Sequence, residues 1–190
     1  MKKIIAASAM AMVLATGAAA DVKVGLGYTL FDSQYSGAFF GLPANIRVPI
    51  DFDFGLRIEP ELGFGSFVED DPGYEKETST AKTLAFGAYY NVWNVEKVNF
   101  YAGGRLAYVT DETETKDNVG TTPTYTRDST TIGLQGLFGA EYMFTEDFSI
   151  AAQAGLEFTS GTESDSRPGN KDVDTSSVGT VGHVLIHYFF

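Results

Sequence analysis

The sequence predicts an all-β protein, an eight-stranded antiparallel up-and-down transmembrane β-barrel. Three observations carry that expectation. Hydropathy alternates with a period of two through almost all of the chain after residue 20. The connections between alternating segments are short and long in turn. The polar side of the segments is dominated by glycine, where a water-facing sheet would carry lysine.

The first twenty residues stand apart. Lys2 and Lys3 make a positive start, residues 4–14 are apolar, and Ala18, Ala19 and Ala20 precede Asp21. That order is expected of a cleaved secretory signal. The apolar stretch is shorter than the roughly 20 residues that cross a bilayer as a helix. Residues 1–20 are therefore read as signal and residues 21–190 as the barrel domain. The whole chain has 13 Lys and Arg against 25 Asp and Glu, a net charge of −12, and removing the two lysines makes it −14. An acidic chain without a basic stripe excludes nucleic acid as a partner. The absence of cysteine excludes disulfides, thiolate metal sites and thiol nucleophiles. After residue 20 no apolar run is long enough for a membrane helix, so a membrane protein of this sequence has to close a barrel.

Eight segments alternate, at 22–31, 39–50, 53–67, 81–93, 98–110, 130–145, 148–160 and 177–190. Along the seventh, Phe148, Ile150, Ala152, Ala154, Leu156 and Phe158 oppose Ser149, Gln153, Gly155, Glu157 and Thr159. The sixth sets Ile132, Leu134, Phe138, Tyr142 and Phe144 against Gly133, Gln135, Gly139 and Glu141. The fifth sets Val98, Phe100, Leu106 and Tyr108 against Asn99, Gly103 and Arg105. The third sets Phe54, Leu56, Ile58, Leu62 and Phe64 against Arg57, Glu59, Glu61, Gly63 and Gly65. Short turns are expected at 51–53, 94–97 and 145–147, and long polar loops at 32–38, 68–80, 111–129 and 160–176. Three short and four long connections are the count for a barrel with both ends on the periplasmic side. Pro49 and Pro60 fall inside strands, where proline removes a ladder bond, so the faces of the second and third strands could switch there.

A soluble periplasmic ligand-binding barrel also alternates, but its outer face would be polar. Here small residues suit the crowded lumen of a narrow barrel, and the apolar face from the third strand onward is expected to be free of charge. Aromatic residues gather near segment ends, as interfacial girdles do: Phe52, Phe54, Phe100, Phe144, Phe148, Tyr188 and Phe190 at one end, Tyr28, Phe64, Tyr108 and Phe158 at the other.

At the C-terminus Val184, Ile186, Tyr188 and Phe190 share one face. A terminal aromatic preceded by alternating apolar residues is similar to the assembly signal of outer-membrane barrels. Together with the signal segment and strand pattern, the chain resembles the small outer-membrane β-barrel superfamily, which includes the OmpA transmembrane domain, the OmpX type and the opacity-protein type. The resemblance covers residues 21–190 and is one of pattern. It implies periplasmic chaperones and the barrel-assembly machinery as partners during biogenesis, then outer-membrane lipid and lipopolysaccharide around a monomer.

Candidate chemistry lies on the polar face. Arg47, Arg57 and Arg105 share it with Glu59, Glu61, Glu141 and Glu157. Such residues could form a selective constriction. Their mixed signs favour a lumen network of ion pairs, in which Arg57 and Arg105 each meet one of the four glutamates. The only histidines, His183 and His187, are expected in the lumen, about 13 Å apart and so unable to share a metal. Lipid A deacylases use a membrane-facing His–Ser pair, but Phe189 stands where the serine would be. The acidic loop residues lack the ligand spacing of an EF-hand, and no metal or cofactor is expected. The leading expectation is a non-enzymatic outer-membrane barrel with surface loops for adhesion or a membrane-structural role. The alternatives are a narrow porin-like channel and a lipid-modifying enzyme.

Overall fold

The computed structural model describes residues 22–32, 44–70, 75–117, 124–167 and 169–190. The expected signal segment, most of the loop at 32–38 and the start of the expected second strand lie outside them. Nine strands are assigned among the described residues: β1 Val22–Asp32, β2 Ala44–Arg47, β3 Ile50–Phe52, β4 Leu56–Asp70, β5 Glu75–Val95, β6 Val98–Asp117, β7 Tyr125–Met143, β8 Phe148–Asp165 and β9 Val173–Phe189. Both β2 and β3 pair with β1 on one side and β4 on the other, so together they fill one place in the ring. From β4 onward each strand pairs antiparallel with the next, and β1 closes on β9 through Gly25–Phe189 to Thr29–Leu185. The result is an antiparallel ring of eight strands.

Alternation sorts the side chains onto two faces, as the period of two requires. Even-numbered residues face outward, except past the bulge between Asn91 and Trp93 in β5, which turns Trp93 out as well: Leu62, Leu84, Leu106, Leu134, Phe138 and Leu156 are each at least half exposed. They form an apolar belt. On β8 the belt runs from Phe148 to Phe158, which at about 3.3 Å per residue and a tilt of about 40° rises roughly 25 Å, the height of a bilayer's apolar band. Odd-numbered residues fill the lumen. Its apolar part is Tyr89, Tyr101, Leu137, Ala151, Val181 and Leu185. Glycine is needed where these rings lie down: a Cβ on Gly139 would sit 2.5 Å from the Tyr101 ring, and one on Gly87 would sit 2.6 Å from Tyr89. Outward-facing Gly136 has open space instead.

The short connections gather at one end of the ring with the C-terminus. Glu96, at φ 50°, takes the left-handed position of the two-residue turn between Val95 and Val98. The Thr145 hydroxyl accepts from the N–H groups of Asp147 (3.3 Å) and Phe148 (3.0 Å). The turn after β3 differs from its expected place at 51–53. Asp51 stays in the ladder opposite Arg57, and the chain reverses at 53–55, where Gly55 adopts φ 86° and donates to the Phe52 carbonyl at 2.9 Å. A left-handed residue is needed there, and only Gly55 takes it without strain.

Two expectations about faces are corrected. The prolines switch nothing: Arg47 opposes Glu61 and Ile50 opposes Ile58, one continuous register across residues 48 and 49. Each proline withholds an N–H but inserts no residue. Lys82, in contrast, faces outward among the apolar residues. It lies opposite Phe64 and Thr110 at the upper edge of the belt, within reach of water for its ammonium group.

The long polar loops are a further correction. Much of 68–80, 111–129 and 160–176 continues as paired strand: Glu69 opposes Glu77, Glu75 opposes Asp117, Arg127 opposes Asp165 and Glu163 opposes Val173. These stretches are rich in threonine and serine, and Thr favours a pleated backbone whether its faces are wet or dry. Hydrophobic alternation ends at the belt, but hydrogen-bonded pairing does not. The ring therefore rises past the belt as a crown of hairpins.

Candidate functional site

The lumen holds two ionic groups stacked along the barrel axis. The upper one is built on β1, β2, β4, β6, β7 and β8. Arg105 donates to both Glu61 oxygens, Nε to Oε2 and Nη2 to Oε1, each at 2.9 Å, and its Nη1 donates to Gln135 Oε1 at 3.0 Å. Gln135 Nε2 passes the chain on to Glu157 Oε1 at 2.8 Å. Arg47 Nη1 donates to Glu59 Oε1 at 2.8 Å, while its Nε lies 3.2 Å from Glu61 and donates to Thr29 Oγ1 at 3.1 Å. Each of these side chains comes from the odd face of its strand at or near one level of the ring, which is why they meet.

The lower group lies toward the short turns. Arg57 Nε and Nη2 donate to the two Asp51 oxygens at 2.5 and 2.8 Å, and Nη2 also reaches Glu141 Oε2 at 2.7 Å. The Ser149 hydroxyl donates to Glu141 Oε1 at 2.6 Å. The Arg57 guanidinium also lies 5.7 Å from the Tyr101 ring centre and 5.5 Å from that of Phe189. His187 links the groups: Nδ1 is 2.9 Å from Glu141 Oε1, and Nε2 is 3.9 Å from Glu59 Oε2. His183 is buried in the same lumen.

All seven charged residues singled out from the sequence thus enter the lumen, and six of them are less than 10 % exposed. Arg57 meets Glu141, and Arg105 meets Glu61. The partners that sequence reasoning missed are Asp51, Gln135, Thr29, Ser149 and the bridging His187. Asp51 shares the odd parity of Arg57 but was assigned to a turn. Gln135 carried no signal beyond its odd position. Val184, Ile186, Tyr188 and Phe190 share the outer face, with Tyr188 and Phe190 largely exposed in the lower girdle.

A cavity lies toward each end of the ionic stack. The lower, about 100 Å³, is lined by Asp51, Arg57, Asn91, Tyr101 and Glu141 among others. The upper, about 170 Å³, is lined by Ala107, Val109, Asp111, Thr131, Gly133, Glu157 and Thr159. Between them the lumen is filled by the Arg–Glu–Gln contacts and the tyrosine rings. No group of three or more histidine or acidic residues is arranged to hold a metal among the described residues. His187 points inward, away from the lipid-facing belt.

Above the belt the crown is acidic, with Asp111, Glu112, Glu114, Asp128, Glu163 and Asp174 on its walls. Burial raises the Asp111 carboxyl against the opposing effect of the Ser129 hydroxyl. Arg167 holds the half-buried Asp165 carboxyl below the usual carboxylate range through hydrogen bonds.

A family model described as outer membrane protein β-barrel domain matches residues 4–182. No curated protein matches the sequence. Among solved structures, the chain is similar to a major outer membrane protein from Thermus thermophilus, with 14 % identity over 90 % of this chain and 100 % of that one, at a TM-score of 0.59. It is also similar to Ail, the attachment invasion locus protein of Yersinia pestis, with 13 % identity over 90 % and 99 % of the two chains and a TM-score of 0.54. At these identities the likeness is one of fold.

Proposed function

The chain belongs to the outer membrane protein β-barrel domain family of the bacterial outer membrane, and we propose that it works there as a non-enzymatic, non-conducting barrel that displays its crown to the surroundings. The observation that carries this reading is the filled lumen. An eight-stranded ring has room for little beyond its own side chains. Here Arg47, Arg105, Glu59, Glu61 and Gln135 occupy that room and bind one another. Charges so enclosed are held by their partners, and freeing one to admit a solute would leave another unpaired.

In this reading both termini and the short turns are periplasmic, residues 1–20 are removed on export, and the crown is extracellular. Phe190 and the alternating residues before it present the signal for assembly, and lipid and lipopolysaccharide surround a monomer. The crown is the part available for adhesion. Ail has been solved in complex with the heparin analogue sucrose octasulfate. An acidic crown would repel such a polyanion, so a cationic or neutral partner suits this chain better.

The narrow-channel reading has one observation in its favour, the two cavities at either end of the ionic stack. Planar-bilayer recording of the purified barrel separates the two. The closed-lumen reading expects no steady conductance steps. Large, regular, ion-selective steps would overturn it in favour of the channel.

A further inference from the structure

The eight places in the ring are not equally bonded. The second is occupied by two pieces, β2 and β3, with residues 48 and 49 between them outside either strand. No residue is inserted at the break, because the register with β4 runs straight through it. What is missing is hydrogen bonds. The Gly25 N–H donates to the Pro49 carbonyl at 2.9 Å, and the Val48 N–H donates to the Pro60 carbonyl at 2.9 Å. In an antiparallel pair each such bond has a reciprocal one. Here the reciprocal donors would be the nitrogens of Pro49 and Pro60, which carry no hydrogen. One ladder bond is thus lost on each side of the same two-residue step, at the carbonyls of Gly25 and Val48.

The step lies at membrane depth. Pro60 is midway along the outward row Leu56, Ile58, Pro60, Leu62 and Phe64 of β4. A carbonyl left without its ladder partner costs most where lipid offers no donor. The flanking strand offers little compensation, since β1 carries Gly25 and Gly27, which contribute no lumen-filling side chains. By contrast the β1–β9 closure retains its pairing from Gly25–Phe189 to Thr29–Leu185, with its irregularity only above, between Thr29 and Phe31.

We propose that the wall of this barrel parts first at β2–β3, opening a lateral window between the lipid and the lumen beside Arg47 and Glu59. The chain ends, where β1 meets β9, are the tighter seam. Opening here exposes the two carbonyls left unpaired by the prolines to water, while the long hairpins from β5 to β9 stay paired.

Amide hydrogen exchange on the folded full-length barrel in lipid nanodiscs tests this. The N–H groups of residues 44–48 and of Gly25 should exchange about tenfold or more faster than those of residues 132–138 and faster than those of residues 184–188. Pro60→Val restores a donor at an outward position and should slow exchange at Val48 and Gly25 severalfold, leaving residues 132–138 unchanged. A second variant adds covalent control. Tyr28 and Ile46 lie directly opposite each other on the outer face, and the sequence has no other cysteine, so Tyr28→Cys with Ile46→Cys makes a defined staple. Oxidising it should slow exchange across 44–48, and reducing it should restore the rate. Fastest exchange at 184–188, or rates at 44–48 indifferent to the staple, would overturn the proposal.

Discussion

Arg105→Ala cuts the upper ionic group at its most heavily bonded member. The guanidinium is 3 % exposed as a side chain, and it makes two bonds to Glu61 and one to Gln135. Removing one partner of a buried pair typically costs about 3–5 kcal/mol, because the remaining charge is stranded. Glu61 is not stranded completely, since Arg47 Nε remains 3.2 Å from it, which places the expected loss near the lower figure, about 3 kcal/mol. Replacing both partners by apolar residues of similar size removes the stranded charge. Arg105→Met with Glu61→Leu should therefore be less destabilised than Arg105→Ala alone, within about 1–2 kcal/mol of the parent. Urea unfolding in detergent micelles measures these differences. The single tryptophan, Trp93, lies on the outer face stacked 5.4 Å from Phe100 and reports the loss of its surroundings. A loss below about 1 kcal/mol for Arg105→Ala would refute the claim that the pair is held in a water-poor lumen, because that is the range of exposed ion pairs. So would a double variant weaker than the sum of the single ones.

The remaining expectations concern the two faces and the chain end. Leu134→Arg and Leu156→Arg put charge into the lipid-facing belt and should cost about 2–4 kcal/mol near mid-depth, by urea unfolding in bilayers. Gln135→Arg, one residue away in the lumen, should respond instead to the charge of Glu157; identical behaviour in all three would undo the assignment of faces. Gly139→Ala should destabilise by about 1–3 kcal/mol because the new Cβ meets the Tyr101 ring, whereas Gly136→Ala meets nothing and should fall within about 0.5 kcal/mol of the parent. Deleting Phe190 should slow insertion into the outer membrane, seen as less of the heat-modifiable folded band; a wild-type band would count against the C-terminal signal.

The belt and the lumen were legible because they rest on one rule, alternation. Arg57, Glu59 and Glu61 fall on one face of β4, and Leu62 and Phe64 on the other, for no reason beyond the pleat. The crown was not legible by the same rule. From Lys76 to Thr80 both faces are at least partly exposed, so hydropathy falls silent while the backbone goes on pairing. Partner choice in the lumen was legible only in part. Sign and parity bring Arg57 within reach of several carboxylates, but its two hydrogen bonds to Asp51 depend on where the chain turns. That place is set by the left-handed backbone of Gly55, just past the end of β3, and nothing in the alternation marks it. His187 shows the same limit: its parity places it inside, and only the shear of the closed ring sets it between Glu59 and Glu141.

The paired strands that continue past the belt bear on how such a surface can change over generations. A free loop that gains a substitution can adopt a new path, and its neighbours lose their geometry with it. In the crown the path is held by main-chain bonds, such as those between Thr113 and Arg127 or Thr130 and Thr162, to which most side chains contribute little. Position is thereby separated from chemistry. The outward letters of these hairpins can be rewritten one at a time, each presented at a fixed height and angle, without disturbing the buried ions below.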